Sequence, residues 1–502
     1  MGHNPRRLST WRSVVTRLVV LASVVVGAPV PVSGVAASVG PRLDWHRCAV
    51  SFRCAGLDVP LDYANQAGGS LTLALVELPA TGSHPIGDLV MNPGGPGGSG
   101  VQFLETTSFP SALRASFNLV SFDPRGVGES DPVKCLGASG IRDLIALDPA
   151  PGTATQIAVV VRATKAFDRS CAEHSSMTLL ENVSTLDTVR DLDRIRAALG
   201  QAKLNYLGFS YGTYLGEVYD QTYPSHVWAM VLDGVFNPAL SNNEILEQQA
   251  EGFEADLTDF FAWCPRDKAC SREMPQGAKT AYKLLFGHLA AGAVIIADLP
   301  PQYGGVQQVT LGVAGTGVLG SLYSDQTWPD LASAIEQALG GDGSELAALA
   351  YAYDGLMPNG QFANLMAAGT AISCLDRPYP SDVAAYERLA RRLAKVAPDF
   401  GASVAWSDLA CAYWPVRAEG RPEAIHAKGS PPILIVGSTG DPATPYSWAQ
   451  SVTHQLARAE LLTRQGPGHT GYFYSTCIER WVGSYLKTLE LPPENTVCAT
   501  TS

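Results

Sequence analysis

The 502-residue sequence predicts an α/β protein, a mostly parallel sheet flanked by helices and interrupted by one long helical insertion. Two observations carry that expectation. Short apolar runs alternate with helical segments in both halves of the chain, the pattern of strands joined by crossover helices. From about Asn237 to Gly429 the alternation stops, and the chain turns mainly helical and alanine-rich before "PPILIVG" restores it. The balance of 46% hydrophobic and 16% charged residues is that of an ordinary globular protein with a large core. A formal charge of −12, with no basic stripe or aromatic-interleaved basic patch, argues against a nucleic-acid partner.

The chain opens with Arg6, Arg7, Arg12 and Arg17, an apolar run from Leu18 to Val26, and the small residues Val35-Ala36-Ala37. This is the layout of a secretory signal peptide over residues 1–37, with an apolar run too short to span a bilayer comfortably. The expectation is a secreted or cell-envelope protein without stable membrane insertion after cleavage. Ten cysteines agree with export, where an even count favours disulfides. Close spacing suggests Cys48–Cys54 and Cys264–Cys270, and proximity along the chain suggests Cys135–Cys171, Cys374–Cys411 and Cys477–Cys498. The paired CxxC and clustered histidines of zinc sites are missing from the sequence, so neither a metal nor a cofactor is expected.

The first part of the core, residues 38–236, begins with "LDVPLDY" and "SLTLALVELPA" as an antiparallel pair. "DLVMN" then leads into the glycine-rich "PGGPGGSG", and "FNLVSFD" into "PRGVGES". In "STLDTVRDLDRIRAALG" the residues Leu186, Val189, Leu192, Ile195 and Leu199 recur at helical spacing, with Ser184 or Thr185 as N-cap and Gly200 as a stop. The strand "KLNYLG" follows, then a helix from "YGTYLGEVYDQTYP" and the apolar strand "VWAMVLDGV". An insertion placed between two sheet strands, residues 237–429, reads as a cap. Residues 430–502 complete the core with "PPILIVG" and "ELLTRQG".

Within this frame "GFSYG" puts Ser210 where a strand turns into a helix. Flanking glycines let the backbone crowd itself there, so that the hydroxyl projects above the sheet. A plain helix-capping serine is the competing reading. A hydroxyl of ordinary pKa needs a base, and His469 in "QGPGHTGYF" follows the last predicted strand inside a Gly-Pro-Gly loop. His84, His226 and His454 lack such a setting. A third group must hold the imidazole tautomer. Asp441 in "GSTGDPATPY" is the choice, with Thr444 placed to orient its loop; Asp233, at the end of "MVLDGV", is the rival. The chain order Ser210, Asp441, His469 is that of an α/β-hydrolase fold. Acyl transfer also needs donors for a developing oxyanion. The backbone N–H of Tyr211 is one, and the run "NPGGPGG" supplies another from Gly95, with Gly94 next. That run lacks the Lys-Ser/Thr of a phosphate-binding loop.

Together "NPGGPGGSG", "SFDPRGVGES", "GFSYGTYLG", "VLDGV", "GSTGDPATPY" and "GPGHTGYF" resemble the secreted tripeptidyl-aminopeptidase branch of the α/β-hydrolases, related to the proline iminopeptidases, over most of the mature chain. The resemblance implies a serine nucleophile at Ser210, Asp441 and His469 as its partners, and an oxyanion loop at Gly95. A histidine often precedes the glycine run in that family, whereas Asn92-Pro93 stands here. Asp123 and Arg125 fall in a motif read as structural support. Family members act on a free peptide N-terminus, which implies acidic groups near the pocket; Glu217, Glu251 and Glu254 are candidates by position, but each reads as a solvated helix residue and stays outside the expected site. The expected activity is release of tripeptides or short fragments from peptide N-termini, the alternative a carboxylesterase using the same three residues. The filled triad positions argue against a binding module without catalysis, and the elbow serine argues against an aspartate-nucleophile hydrolase.

Overall fold

The computed structural model describes residues 43–499; the segment read as a signal peptide lies outside them. Twelve strands are formed: β1 (His46–Arg47), β2 (Arg53–Pro60), β3 (Ser70–Leu78), β4 (Gly87–Asn92), β5 (Phe117–Phe122), β6 (Leu204–Phe209), β7 (Val227–Asp233), β8 (Ile295–Asp298), β9 (Val306–Val309), β10 (Ile433–Gly440), β11 (Ala459–Pro467) and β12 (Val497–Cys498). Ten of them make one sheet in the order β1-β2-β3-β5-β4-β6-β7-β10-β11-β12.

The sequence patterns explain the sheet's two characters. Along β2 buried and exposed residues alternate, as suits an antiparallel strand with one wet face, and β2 pairs antiparallel with β3. All six residues of β6 are buried, because helices cover both faces of the parallel part. Tyr206, Met230, Leu232 and Ile435 pack into one face's core, while Leu207, Val231, Leu434 and Val436 pack into the other. The helix Thr185–Ala198 begins as expected: the Ser184 hydroxyl accepts the N–H of Asp187, and Gly200 adopts φ 74° just beyond the helix end.

From β5 through β11 the neighbouring strands run parallel. The carboxyl ends of β4, β6, β7, β10 and β11 therefore lie along one edge, whatever the chain does between them. β7 pairs directly with β10, Leu434 standing opposite Val231, although residues 234–432 intervene. That excursion holds the helices Asn242–Trp263, Leu311–Ser321 and Trp328–Leu339, among others, around a core that includes Phe253, Leu257, Phe260, Trp328 and Ile335, while its helix Leu365–Asp376 packs through Ala371, Ile372 and Leu375 into the core on the Tyr206 face of the sheet. It also contains an antiparallel ribbon of β8 and β9, which the expectation of a mainly helical segment had not resolved.

Five disulfides, Cys48–Cys54, Cys135–Cys171, Cys264–Cys270, Cys374–Cys411 and Cys477–Cys498, use all ten cysteines in the pairing expected from sequence. Such a set belongs to a chain that folds in an oxidising compartment. Among the described residues no helix is long and apolar enough to cross a membrane.

Candidate active site

Ser210 closes β6 with φ 54° and ψ −128°, a conformation that costs a non-glycine residue energy and holds its side chain out of the helix that follows. The turn is possible because both flanking glycines are crowded. A Cβ on Gly208 would stand 2.4 Å from the Gly212 carbonyl oxygen, and one on Gly212 would stand 2.6 Å from that of Asn92. The Ser210 hydroxyl makes no capping hydrogen bond, so the capping reading is set aside. Its backbone N–H donates to the Asp233 carbonyl at 3.0 Å, tying the turn to the end of β7.

His469 and Asp441 come together at the ends of β11 and β10. Nδ1 of His469 lies 2.9 Å from both carboxylate oxygens of Asp441. The carboxylate also accepts the N–H groups of Ala443, Thr444 and Thr470 and the Thr444 hydroxyl, which itself sits 3.2 Å from Nδ1. Burial opposes charging of the imidazole, yet the charge and hydrogen bond of Asp441, with Asp233 behind, hold its pKa above the ordinary value. Nε2 of His469 is buried and has no partner among the described residues. The ring lies over Gly234, where a Cβ would be 3.1 Å from Cε1. Gly234 directly follows the residue whose carbonyl holds the Ser210 N–H, so serine and histidine occupy the same corner of the sheet edge.

Asp233 takes the other part of the loop. Its carboxylate accepts the N–H groups of Gly471 and Tyr472, both at 2.8 Å, and makes no bond to the imidazole. Burial raises its pKa to about 7 against the lowering effect of those two N–H groups and of His469.

The glycine run after β4 packs on the serine turn. A Cβ on Gly94, which has φ 98°, would lie 2.9 Å from Ser210 Cβ and 3.0 Å from the Tyr211 nitrogen. The Gly94 N–H is engaged by Asn92 Oδ1 at 2.9 Å, whereas the Gly95 N–H has no acceptor among the described residues. Tyr211 is the first residue of the helix Tyr211–Thr222, so its N–H has no helical carbonyl behind it. Two free donors thus border the serine. Asp123 anchors the far end of the run, accepting from the Ser99 hydroxyl and the Val101 N–H. Arg125, fully buried, pairs with Asp191 and donates to the carbonyls of Pro60, Leu61 and Asn182, which makes it part of the scaffold.

A cleft of about 370 Å³ opens at Ser210, with Gly95, Tyr211 and Thr444 on its core side. The excursion supplies Tyr323, Asp376 and Asp408, none of which the sequence singled out. Asp376 accepts the Thr185 N–H and hydroxyl, and Thr185 in turn meets the Tyr211 hydroxyl; burial raises the Asp376 pKa to about 7. The Asp408 carboxylate has no hydrogen-bond partner among the described residues, and burial lifts its pKa to about 6. The acids considered from sequence lie elsewhere. Glu251 is exposed, and Glu254 accepts the Asp399 N–H. Glu217 corrects the expectation of a solvated residue: it is fully buried, neither carboxylate oxygen has a partner among the described residues, and burial drives its pKa well above the ordinary range.

Comparison with known proteins agrees with this architecture. Residues 89–303 match the family model described as alpha/beta hydrolase fold, and residues 397–498 match the one described as TAP-like protein. The chain is 33% identical to the serine protease Hip1 of Mycobacterium tuberculosis, over 98% of either protein. It is 33% identical to the tripeptidyl aminopeptidase of Streptomyces lividans, covering 91% of this chain and 86% of that one. It is also 34% identical to carboxylesterase B of M. tuberculosis, over 94% of this chain and 91% of the relative. A hydrolase sheet with Ser210, Asp441 and His469 at the ends of β6, β10 and β11, and relatives that align along nearly the whole length, lead to one assignment: the chain belongs to the TAP-like family of α/β-hydrolases.

Proposed function

We propose that this protein is an exported serine exopeptidase that removes tripeptides or short fragments from peptide N-termini, with residues 237–429 as the cap over its site. The observation that carries the chemistry is the state of His469: Nδ1 is fixed on Asp441, while Nε2 is buried without a partner beside the serine turn. In the proposed reaction Nε2 accepts the proton of Ser210 as Oγ attacks the scissile carbonyl. The N–H groups of Gly95 and Tyr211 receive the resulting oxyanion. The tetrahedral intermediate collapses with proton return from His469 to the departing amine, leaving the acylated serine. Water then attacks the ester, again with His469 as base, and the released acid is the N-terminal fragment. Asp441 holds the Nδ1 edge of the ring and steadies the imidazolium.

The exopeptidase reading draws on the far wall of the cleft. Asp408 has no hydrogen-bond partner among the described residues and shares a partly dry space with Asp376, whose charge the neighbouring Arg377 offsets only in part, so an ammonium is a natural further counter-charge. The likeness to a tripeptidyl aminopeptidase points the same way. The N-terminal segment and the disulfides support export to the cell exterior or envelope. A second reading, hydrolysis of carboxylic esters by the same residues, draws on the likeness to carboxylesterase B.

The test sets unblocked peptide amides beside their N-acetylated forms and short- and long-chain esters. Acetylation is expected to lower kcat/KM on the order of a hundredfold or more, as for loss of a buried charge pair. Equal cleavage of blocked and free peptides removes the exopeptidase reading, and turnover of esters alone replaces it with the esterase one. Ser210→Ala should abolish turnover of every substrate by several orders of magnitude while the protein stays folded.

A further inference from the structure

We propose that Tyr323, a residue of the excursion, is a positioning residue for His469; the inference rests on Ser210, His469 and Asp441 acting as proposed above. The loop that carries His469 leaves the regular backbone regions on either side of it, with φ 101° at Gly468 and 68° at Thr470. Such a loop is held by its outside partners rather than by its own hydrogen bonds. Those partners divide unevenly. The N–H of Gly468 goes to the Gly440 carbonyl, that of Thr470 to Asp441, and those of Gly471 and Tyr472 to Asp233, all at the ends of sheet strands. The N–H of His469 itself goes to the Tyr323 carbonyl at 2.8 Å. The backbone donor of the histidine itself is thus held by the excursion and not by the sheet.

The side chain of Tyr323 repeats the contact. Its ring meets the imidazole edge to face, with centroids 5.4 Å apart and planes at 87°. Asp441 fixes only the Nδ1 edge of the imidazole, about which the ring can still swing, since the terminal torsion of a histidine is broad. Asp233 acts on the ring by charge alone, and Thr444 touches the same Nδ1 edge. Tyr323 and Gly234 are two contacts that restrict the swing.

Tyr323 is itself well held. It follows the helix Leu311–Ser321, and the Thr327 hydroxyl ties the turn by donating to the carbonyls of Ser321 and Ser324. Its ring packs on Phe253, and its hydroxyl lies 3.2 Å from that of Tyr353. A misplacement of the imidazole by about 1 Å is enough to cost on the order of a hundredfold in rate.

The experiment measures kcat per titrated active site, together with the rate at which a small fluorophosphonate labels Ser210, a reaction that needs the base but not the peptide subsites. Tyr323→Ala should lower both by on the order of thirty- to a hundredfold. Tyr323→Phe, which keeps the ring and loses only the hydroxyl, should restore both to within about threefold of wild type. If Tyr323→Ala does not accumulate as folded protein, Tyr323→Leu carries the same expectation as the alanine variant. Titrated kcat and labelling within about twofold of wild type in the alanine or leucine variant overturn the proposal, as does a phenylalanine variant as slow as alanine. A Ser210→Ala protein that still turns over substrate overturns the triad itself, and so is distinguished from failure of Tyr323.

Discussion

Asp233 and Asp441 end adjacent parallel strands, both are buried, and both face the loop that carries His469. They do different work because they meet different parts of it. Asp441 receives the imidazole Nδ1 and surrounds its own carboxylate with four further donors, so its negative charge is both stabilised and aimed. Asp233 spends both oxygens on the backbone N–H groups of Gly471 and Tyr472. One acid addresses the side chain of the loop and the other its backbone. Strand-end position alone therefore does not separate the two acids; the role proposed for Asp441 rests on the neighbour of each oxygen.

The comparison breaks most directly with asparagine at each position. Asp441→Asn should lower kcat by about 10³- to 10⁴-fold, since an amide at this site permits the wrong imidazole tautomer. If steady-state kinetics show the larger loss in Asp233→Asn, the two roles are reversed. A second effect is in the pH profile. Because the pKa of His469 is held above its ordinary value, kcat/KM should fall as pH drops through a midpoint above that of a free imidazole. In the residual activity of Asp441→Asn that midpoint should move to lower pH, because the opposing burial remains while the attraction is lost.

Asp233→Asn is expected to act on stability instead, costing about 1–3 kcal/mol in chemical denaturation through one poorly paired buried amide, with kcat reduced by less than about tenfold. The sign of its pH dependence follows from the raised folded pKa. Ionising Asp233 is harder in the folded state than in the unfolded chain, so wild-type stability is lost relative to the variant as pH rises from the usual carboxylate range to about 7. Equal pH dependence of the two proteins would show that Asp233 does not titrate in that window. The smallest effect is in mass: reduction should add the ten hydrogens expected of five bridges, with no thiol alkylated beforehand.

What could be read from sequence was whatever chain order settles. Ser210, Asp441 and His469 each follow a strand signal at once and sit among glycines and prolines, so local pattern and sheet topology place them together. Gly95 comes ahead of Gly94 in the sequence reading without a pattern that separates the two; the bond that engages the Gly94 N–H, to Asn92, is one that no sequence pattern encodes. Tyr323, Asp376 and Asp408 stayed invisible because their nearness to Ser210 depends on the path of the excursion, in which they are separated by ordinary helices. Glu217 was misjudged because the helix Tyr211–Thr222 is covered on more than one side, which leaves no solvated stripe for it. The ribbon of β8 and β9 was missed because four residues such as "IIAD" carry too little alternation to announce a strand.

The placement of the disulfides has one more consequence. Cys264–Cys270 and Cys374–Cys411 close within the excursion, and the other three close within the sheet-bearing part, so none ties one to the other. The seam where the cleft lies is joined by the continuous chain and by reversible contacts alone, such as the two bonds from Thr185 to the Asp376 carboxylate and the one from His469 to Tyr323. Oxidation hardens each half separately, and leaves the doorway between them on latches rather than rivets.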